Sequence, residues 1–555
     1  MMQWASKEQL TDLLCEMVQI PSISGSEAEK IFPTFVEQKL RTLPYFSKHP
    51  EQIELHDAGS GMRLLSALVR NKPEVRETIV LLSHFDVVDT SDYGDFQQFA
   101  FDPRRLTELF RSQPEVLPPE ARHDAENGEW LFGRGVMDMK SGLALQMAML
   151  ERASAGEFAG NLLLVTVPDE EVGSAGMRAA VPALLALAER YGLDYVTVLN
   201  SEPGFPKYAG DHSNYIYKGT IGKMLPGFLC YGKETHVGEA LAGLNANYMV
   251  SRLISEMELN TSYIEKVETD ITPPPTNLLL RSLKNDYSVQ TPYRAAAMFN
   301  LLMLERTLEE TIESLLATAN QAARHIEADY AVKARACADY AMISIPDLHI
   351  KVLTYEELHQ YAVATYGQER VEALAGKALK VSGPAGDRDT TIAIVDELAL
   401  LCKELGPMIV LFFSPPYYPA VSSRHDPFIQ KVADELADYA AQRYGMKIGQ
   451  ENFHRGICDL SYVGTAGQSA ALQLLAQNMP MWEKGYSIPF KELEQFIVPV
   501  LNVGPVGLDA HKWTERLDVH NAFVVMMDLL PACIHTLFHK HNAAIPESEP
   551  AAIQE

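Results

Sequence analysis

Leu10, Leu13, Leu14, Met17 and Val18 recur at helical spacing. Ser6 and Gln9 ahead of them have capping-box separation, so the pattern predicts a helix over Ser6–Gln19, stopped by Pro21. Short unbroken apolar runs follow at Thr78–Ser83, Asn161–Val167, Tyr195–Leu199, Met408–Phe413 and Ile497–Val503, each with the length and β-branched content of a buried strand. Helical patterns at Ser141–Ala153, Met177–Tyr191 and Pro427–Tyr444 lie between some of them. Strand alternating with helix predicts an α/β fold, a mixed sheet layered by helices. From Tyr215 the pattern changes to strand, strand, helix (Glu239–Met257), a break at Pro273–Pro275, two more strands and a long helix (Thr307–Ala328). That order predicts a small α+β domain inserted into the larger one. The expected organisation is residues 1–214 and 354–541 as two parts of one domain, 215–353 as the insertion, and 542–555, with Pro546, Pro550 and several glutamates, as a flexible tail.

Length supports more than one domain, since 555 residues exceed what one core usually organises. Apolar residues at 47% and charged residues at 22% are ordinary for a globular chain. The net charge of −26 argues against nucleic acid or an anionic membrane as partner, because both attract basic surfaces. Six scattered cysteines without a C-x-x-C pair argue against a disulfide framework or a thiolate zinc site. Trp4, Lys7, Glu8 and Asp12 stand where a signal peptide would be apolar. The apolar stretch Phe523–Phe538 is broken by Asp528 and Pro531 and reads as too interrupted to span a bilayer. The expected location is cytoplasmic.

Five short motifs then change the picture. S-H-F-D-V-V-D begins at Ser83, and His84 and Asp86, two apart, face the same way on a strand. A carboxylate there can fix the tautomer of a metal-binding imidazole. G-R-G-V-M-D-M-K-S-G (Gly133 to Gly142) leads Asp138 into a helix through glycines that permit tight turns. P-D-E-E-V-G-S-A-G-M (Pro168 to Met177) presents Asp169, Glu170 and Glu171 directly after a strand, where open α/β sheets carry their chemistry. N-S-E-P-G offers Glu202, and G-P-V-G-L-D-A-H-K-W-T-E-R-L offers His511, each again after a strand. Alone, each has an ordinary reading: a loop histidine, a capping aspartate, a solvated acidic turn. Together they can be gathered at one sheet edge. Three carboxylates, two divalent cations and a hydroxide balance in charge, whereas the same acids buried without metal would be costly.

These motifs, in this order, resemble the zinc metallopeptidase family that contains aminoacylase, glutamate carboxypeptidase and succinyl-diaminopimelate desuccinylase, family twenty of the metallopeptidases. The resemblance covers most of the chain. The Ser414-to-Asp426 stretch and the ending A-H-K-W-T-E-R-L resemble its arginine-utilisation branch, RocB. It implies a catalytic domain of the zinc-peptidase type with an inserted lid that dimerises. It implies two divalent ions, zinc foremost and cobalt or manganese as alternatives: His84 and Glu202 on one, Glu171 and His511 on the other, Asp138 between them. Asp86 would orient His84, and Glu170 would be the general base. G-K-E-T-H-V-G-E-A-L-A-G-L-N-A resembles the family's histidine-bearing lid motif, so His236 would steady the oxyanion in a partner subunit. A cis peptide is implied at Asp138–Met139. Two departures appear. Where relatives carry G-T-D-x-R this chain has G-I-C-D-L-S, with Ser461 in place of the substrate-gripping arginine, and the lid strand reads A-M-F-N-L-L around Asn300.

The expected activity is therefore hydrolysis of an amide bond in a small peptide or N-acyl amino acid by a homodimer, with no nucleic acid and no membrane as partner. Arginine or amino-acid catabolism is the setting the resemblance implies. Two other readings stay open: a metal-binding protein of the same fold without turnover, and hydrolysis of a non-peptide C–N bond.

Overall fold

The computed structural model describes residues 2–204, 207, 211, 213–284, 286–341, 348–381, 386–464 and 469–544. The chain forms two compact units. The first comprises Met1–Ile221, Val421–Ala466 and Lys491–Glu555, and the second Gly222–Ala420 and Gly467–Phe490.

The first unit is built on an eight-stranded sheet, ordered Ile53–Gly59, Met62–Val69, Asn161–Val167, Glu77–His84, Asp194–Asn200, Val500–Asn502, Asn214–Tyr217, Ile448–Glu451. Four neighbouring strands, Asn161–Val167, Glu77–His84, Asp194–Asn200 and Val500–Asn502, run parallel. They are four of the five apolar runs expected in the larger domain, largely buried on both faces as parallel strands require. From Glu77–His84 the chain passes to the strand on one side, then to the strand on the other. The strand order therefore reverses at Glu77–His84, the position where open α/β sheets form a crevice.

Helices Lys7–Val18, Lys140–Ser154 and Pro427–Tyr444 bury apolar faces in the same core. The first is closed by the Ser6–Gln9 capping box. The C-terminal apolar stretch departs from expectation. Asp528 and Pro531 do not interrupt it: a π-helical turn, Asn521–Val525, runs into the helix Met526–Ala544. Asn521–His539 is long and apolar enough to cross a membrane, yet Leu529, Leu530, Ile534, Leu537 and Phe538 are packed in the core. Of the expected flexible tail, residues 542–544 continue this helix and 545–555 lie outside the described residues.

A small three-stranded sheet joins Trp130–Phe132 to the hairpin Gly507–Leu508 and Arg516–Asp518, with Arg516 opposite Phe132. It ties the glycine-rich loop before Asp138 to the hairpin that carries His511.

The second unit has a five-stranded sheet, ordered Thr276–Ser282, Arg294–Met303, Gly222–Tyr231, Met408–Tyr418, Lys351–Thr354. Ala246–Met257 packs on this sheet and against the long helix Leu308–Ala341, and Tyr355–Tyr366, Gln368–Val381 and Gly386–Leu401 pack together. This unit extends past Leu353, because the run at Met408 pairs with Gly222–Tyr231 rather than with the large sheet. The helix expected from Glu239 starts at Ala246, after a 3₁₀ segment at Val237–Ala242.

Candidate metal centre

The site gathers at the carboxyl ends of the four parallel strands. His84 is the last residue of its strand and pairs with Val167, so the acidic loop after Val167 emerges beside it. Leu82 pairs with Asn200, which brings Glu202 up on the other side. His84 is 1% exposed. Its Nδ1 lies 3.1 Å from the Asp86 carbonyl oxygen and 3.5 Å from Asp86 Oδ1. Its Nε2 lies 3.3 Å from Asp138 Oδ1, 3.3 Å from Glu202 Oε1 and 3.9 Å from Glu170 Oε2. His511 Nε2 is 3.3 Å from Asp138 Oδ2 and 3.0 Å from Glu171 Oε2. Asp138 thus turns one oxygen to each histidine.

Local structure explains how these groups meet. On a strand, Glu170 and Glu171 would point to opposite sides. Here Asp169 takes a left-handed conformation (φ 65°) and the chain turns, delivering both acids to one pocket. Asp86 fastens the turn: its carboxylate accepts the amides of Glu170 (3.0 Å) and Glu171 (3.2 Å) and the hydroxyl of Ser24 (2.7 Å). The loop before Asp138 is held by buried Glu515, which accepts the amides of Gly135 and Met137 and pairs with Arg134. The Asp138–Met139 peptide is cis, as expected. His511 (φ 62°) sits in its hairpin near Asp509, which accepts from Lys512, Thr514 and Arg516. At Gly504 a Cβ would collide with the carbonyl oxygen of Glu202, so only glycine lets these two connections approach.

The donor set fits divalent metal. His84, Asp138 and Glu171 each offer a ligand atom within 4.8 Å of the others. Tetrahedral bonds of about 2.0–2.2 Å place neighbouring donors roughly 3.3–3.6 Å apart. The observed nitrogen–oxygen separations of 3.0–3.3 Å come close to that spacing.

Electrostatics point the same way. Burial disfavours the Asp138 anion, but hydrogen bonds from His511 and His84 outweigh it and hold the group below the usual carboxylate range. Hydrogen bonds to Asp138 and Glu171 push His511 up to about 11. His84 is raised despite its burial, chiefly by Glu202 and Asp138. Burial pushes Glu202 up to about 8. Glu170 is raised well above a normal glutamate by burial, opposed by His84 and reinforced by Asp459.

The structure brings seven of the eight expected residues into this one place, Asp86 among them. His236 belongs to the second unit, where it is exposed and its Nδ1 accepts the amide of Gly238. Besides Glu515, two carboxylates have no role assigned by the sequence. Asp459, buried and pushed up to about 7 by that burial, stands near Glu170. Its signal was the G-I-C-D-L-S segment, read only for its missing arginine. Glu29, buried between Gly25 and Asp169, gave no signal beyond being the acid at the third position of a helix.

The model of "Peptidase family M20/M25/M40" matches residues 80–445. "Uncharacterized protein YqjN" of Bacillus subtilis (strain 168) is 46% identical, covering 98% of this chain and 99% of that protein. "Protein RocB" of the same organism is 30% identical over 98% of this chain and 97% of its own length. Among solved structures, a tripeptidase from Staphylococcus aureus superposes with a TM-score of 0.52 at 14% identity, covering 97% of this chain and 100% of that one. A matching family model that spans most of the chain, joined to full-length relatives, settles the affiliation: the protein belongs to peptidase family M20/M25/M40 and is a metal-dependent hydrolase.

Proposed function

We propose that this hydrolase cleaves the amide bond of a small peptide or N-acyl amino acid with two divalent cations, zinc foremost. The observation that carries the reading is the division of Asp138 between His84 and His511. A carboxylate shared in this way suits a bridge, with His84 and Glu202 toward one cation and Glu171 and His511 toward the other. Bound there, the pair supplies Lewis acidity toward water and the scissile carbonyl.

The remaining work falls to the chain's own groups. Asp86 keeps the Nδ1 edge of His84 engaged, which leaves Nε2 for the metal side. Glu170 is the general base. Burial raises its proton affinity, so at neutral pH it can take a proton from water and pass it to the leaving nitrogen. His236 is assigned to the oxyanion of a partner subunit. The edge strand Thr276–Ser282, with Leu278 56% and Leu280 58% exposed, supports a homodimer through this unit. Breakdown of amino-acid derivatives in the cytoplasm, arginine's included, is the proposed setting.

The test is a panel of dipeptides and N-acetyl amino acids offered to protein loaded with zinc, cobalt or manganese. Release of free amine is expected. Full metal occupancy without turnover on any member would leave only a binding role, and activity confined to ureido or guanidino compounds would replace the amide with another C–N bond.

A further inference from the structure

The amides of Asp169, Glu170 and Glu171 are consecutive, and each donates to a buried carboxylate. Asp86 takes the second and third. The first goes to Glu29, which lies far away in sequence and takes no part in the proposed chemistry. Glu29 is 0% exposed. Its Oε1 accepts Asp169 N–H at 2.9 Å, and its Oε2 accepts Gly25 N–H at 2.6 Å. In an ordinary capping box the third helical residue reaches back to the N-cap amide. The N-cap here is Ser26, whose hydroxyl does accept Glu29 N–H, but the Glu29 carboxylate passes over Ser26 to Gly25 and spends its other oxygen on the acidic loop.

That placement has a mechanical consequence. Asp169 is the residue in the left-handed conformation, and the turn it makes decides where Glu170 points. Aspartate visits this conformation more readily than most L-residues, and its neighbours select it here. Ser24 and Gly25 sit on one short segment, the hydroxyl of Ser24 bound to Asp86 and the amide of Gly25 to Glu29. The two carboxylates are thereby linked, and together they hold the first three amides of the turn.

We infer that Glu29 is a positioning residue for the hydrolytic step: it fixes the Asp169 turn and so sets the reach of Glu170 toward the water. The inference rests on Glu170 being the general base. Glu29 touches neither substrate nor metal, so its removal acts on the proton-transfer geometry and spares substrate affinity.

The experiment uses zinc-loaded full-length protein and the variants Glu29→Gln and Glu29→Asp, the second keeping the carboxyl group on a stem one methylene shorter. Hydrogen exchange followed by mass spectrometry should show faster exchange in the peptide spanning residues 168–175 with both zincs retained. With the best N-acetyl amino acid, kcat should fall at least tenfold while KM stays within twofold. The double variant Glu29→Gln/Glu170→Gln should be no slower than Glu170→Gln alone, because one residue acts through the other. Unchanged exchange at 168–175, unchanged kcat, or a double-variant loss equal to the product of the single losses would overturn the inference. Glu29→Asp decides the matter should Glu29→Gln not fold. A Glu170→Gln protein that keeps its turnover would remove the base assignment and this inference with it. An inactive Glu170→Gln beside a fully active Glu29→Gln would remove this inference alone.

Discussion

His511 Nε2 lies 3.0 Å from Glu171 Oε2, although the histidine side chain is 51% exposed and the glutamate side chain is buried. One half of the proposed centre therefore opens to solvent while the other, around His84, is closed. Loss of metal to a chelator should be biphasic, the ion on His511 and Glu171 leaving first. His511→Ala should hold about one zinc per chain by elemental analysis and lose at least a hundredfold in kcat. Two zincs in that variant would show that His511 is not a ligand.

Glu170 and Glu171 are neighbours with separate assignments. Glu170→Gln should cut turnover to a small residual rate with metal content intact, since only the proposed base is removed. Glu171→Gln should lower occupancy of one metal position. Equal metal loss in both variants would mean that the roles have been misassigned between them.

Metal loading should release protons, and its pH dependence has a definite sign. His511 is pushed up to about 11 and His84 is raised, so both rings are charged at pH 7 in metal-free protein. Glu202, pushed up to about 8, is largely protonated there. A metal needs all three unprotonated, so zinc affinity should fall as pH falls. A group raised on folding stabilises fully below its unfolded value and loses that contribution as pH rises through its folded value. For His511 that window runs from about 6.5 to about 11, and the raised His84 adds to it in the same direction. The Tm of metal-free protein should therefore decline from pH 6.5 to 9, and added zinc should reverse the decline. Titration in weak buffer checks the release directly; zinc binding without proton release would contradict these ionisation states.

Much of this centre could be read from the sequence, because its donors stand in compact motifs at the ends of strands marked by apolar runs. Asn161–Val167 and Pro427–Tyr444 match the expected bounds, since periodicity and flanking signals agreed there. The supporting carboxylates were not legible. Glu29, Asp459 and Glu515 look like surface acids until pairing between distant strands brings their partners to them. Met408–Tyr418 illustrates the same limit: its apolar run identified a strand, but nothing local said which sheet would take it.

Complementation tests the assignment of His236. Inactive His236→Ala subunits mixed with inactive Glu170→Gln subunits should recover activity after exchange, because each mixed dimer then carries one site free of both defects. No recovery despite proven exchange would place His236 outside the partner's chemistry.

Gly504→Ala should damage the centre without touching a donor. The added methyl collides with the Glu202 carbonyl oxygen, and forced overpacking of this kind costs about 1–3 kcal/mol. Thermal melting should show that loss, with weaker zinc retention beside it. A variant with wild-type melting and metal content would mean that the two connections can move apart freely.

The spread of candidate donors along the chain, from position 84 to position 511, bears on the order of events during synthesis. The ribosome delivers His84 early, then Asp138, the paired glutamates and Glu202, all before the last imidazole at position 511. Until Val500–Asn502 has emerged and slotted beside Asp194–Asn200, the nascent chain has no hairpin to present His511. On the proposed assignment, the second cation can therefore be held only late. A chain arrested after Glu202 would hold at most one half of the proposed centre, and hydrolysis by two cations would have to wait until translation is nearly complete.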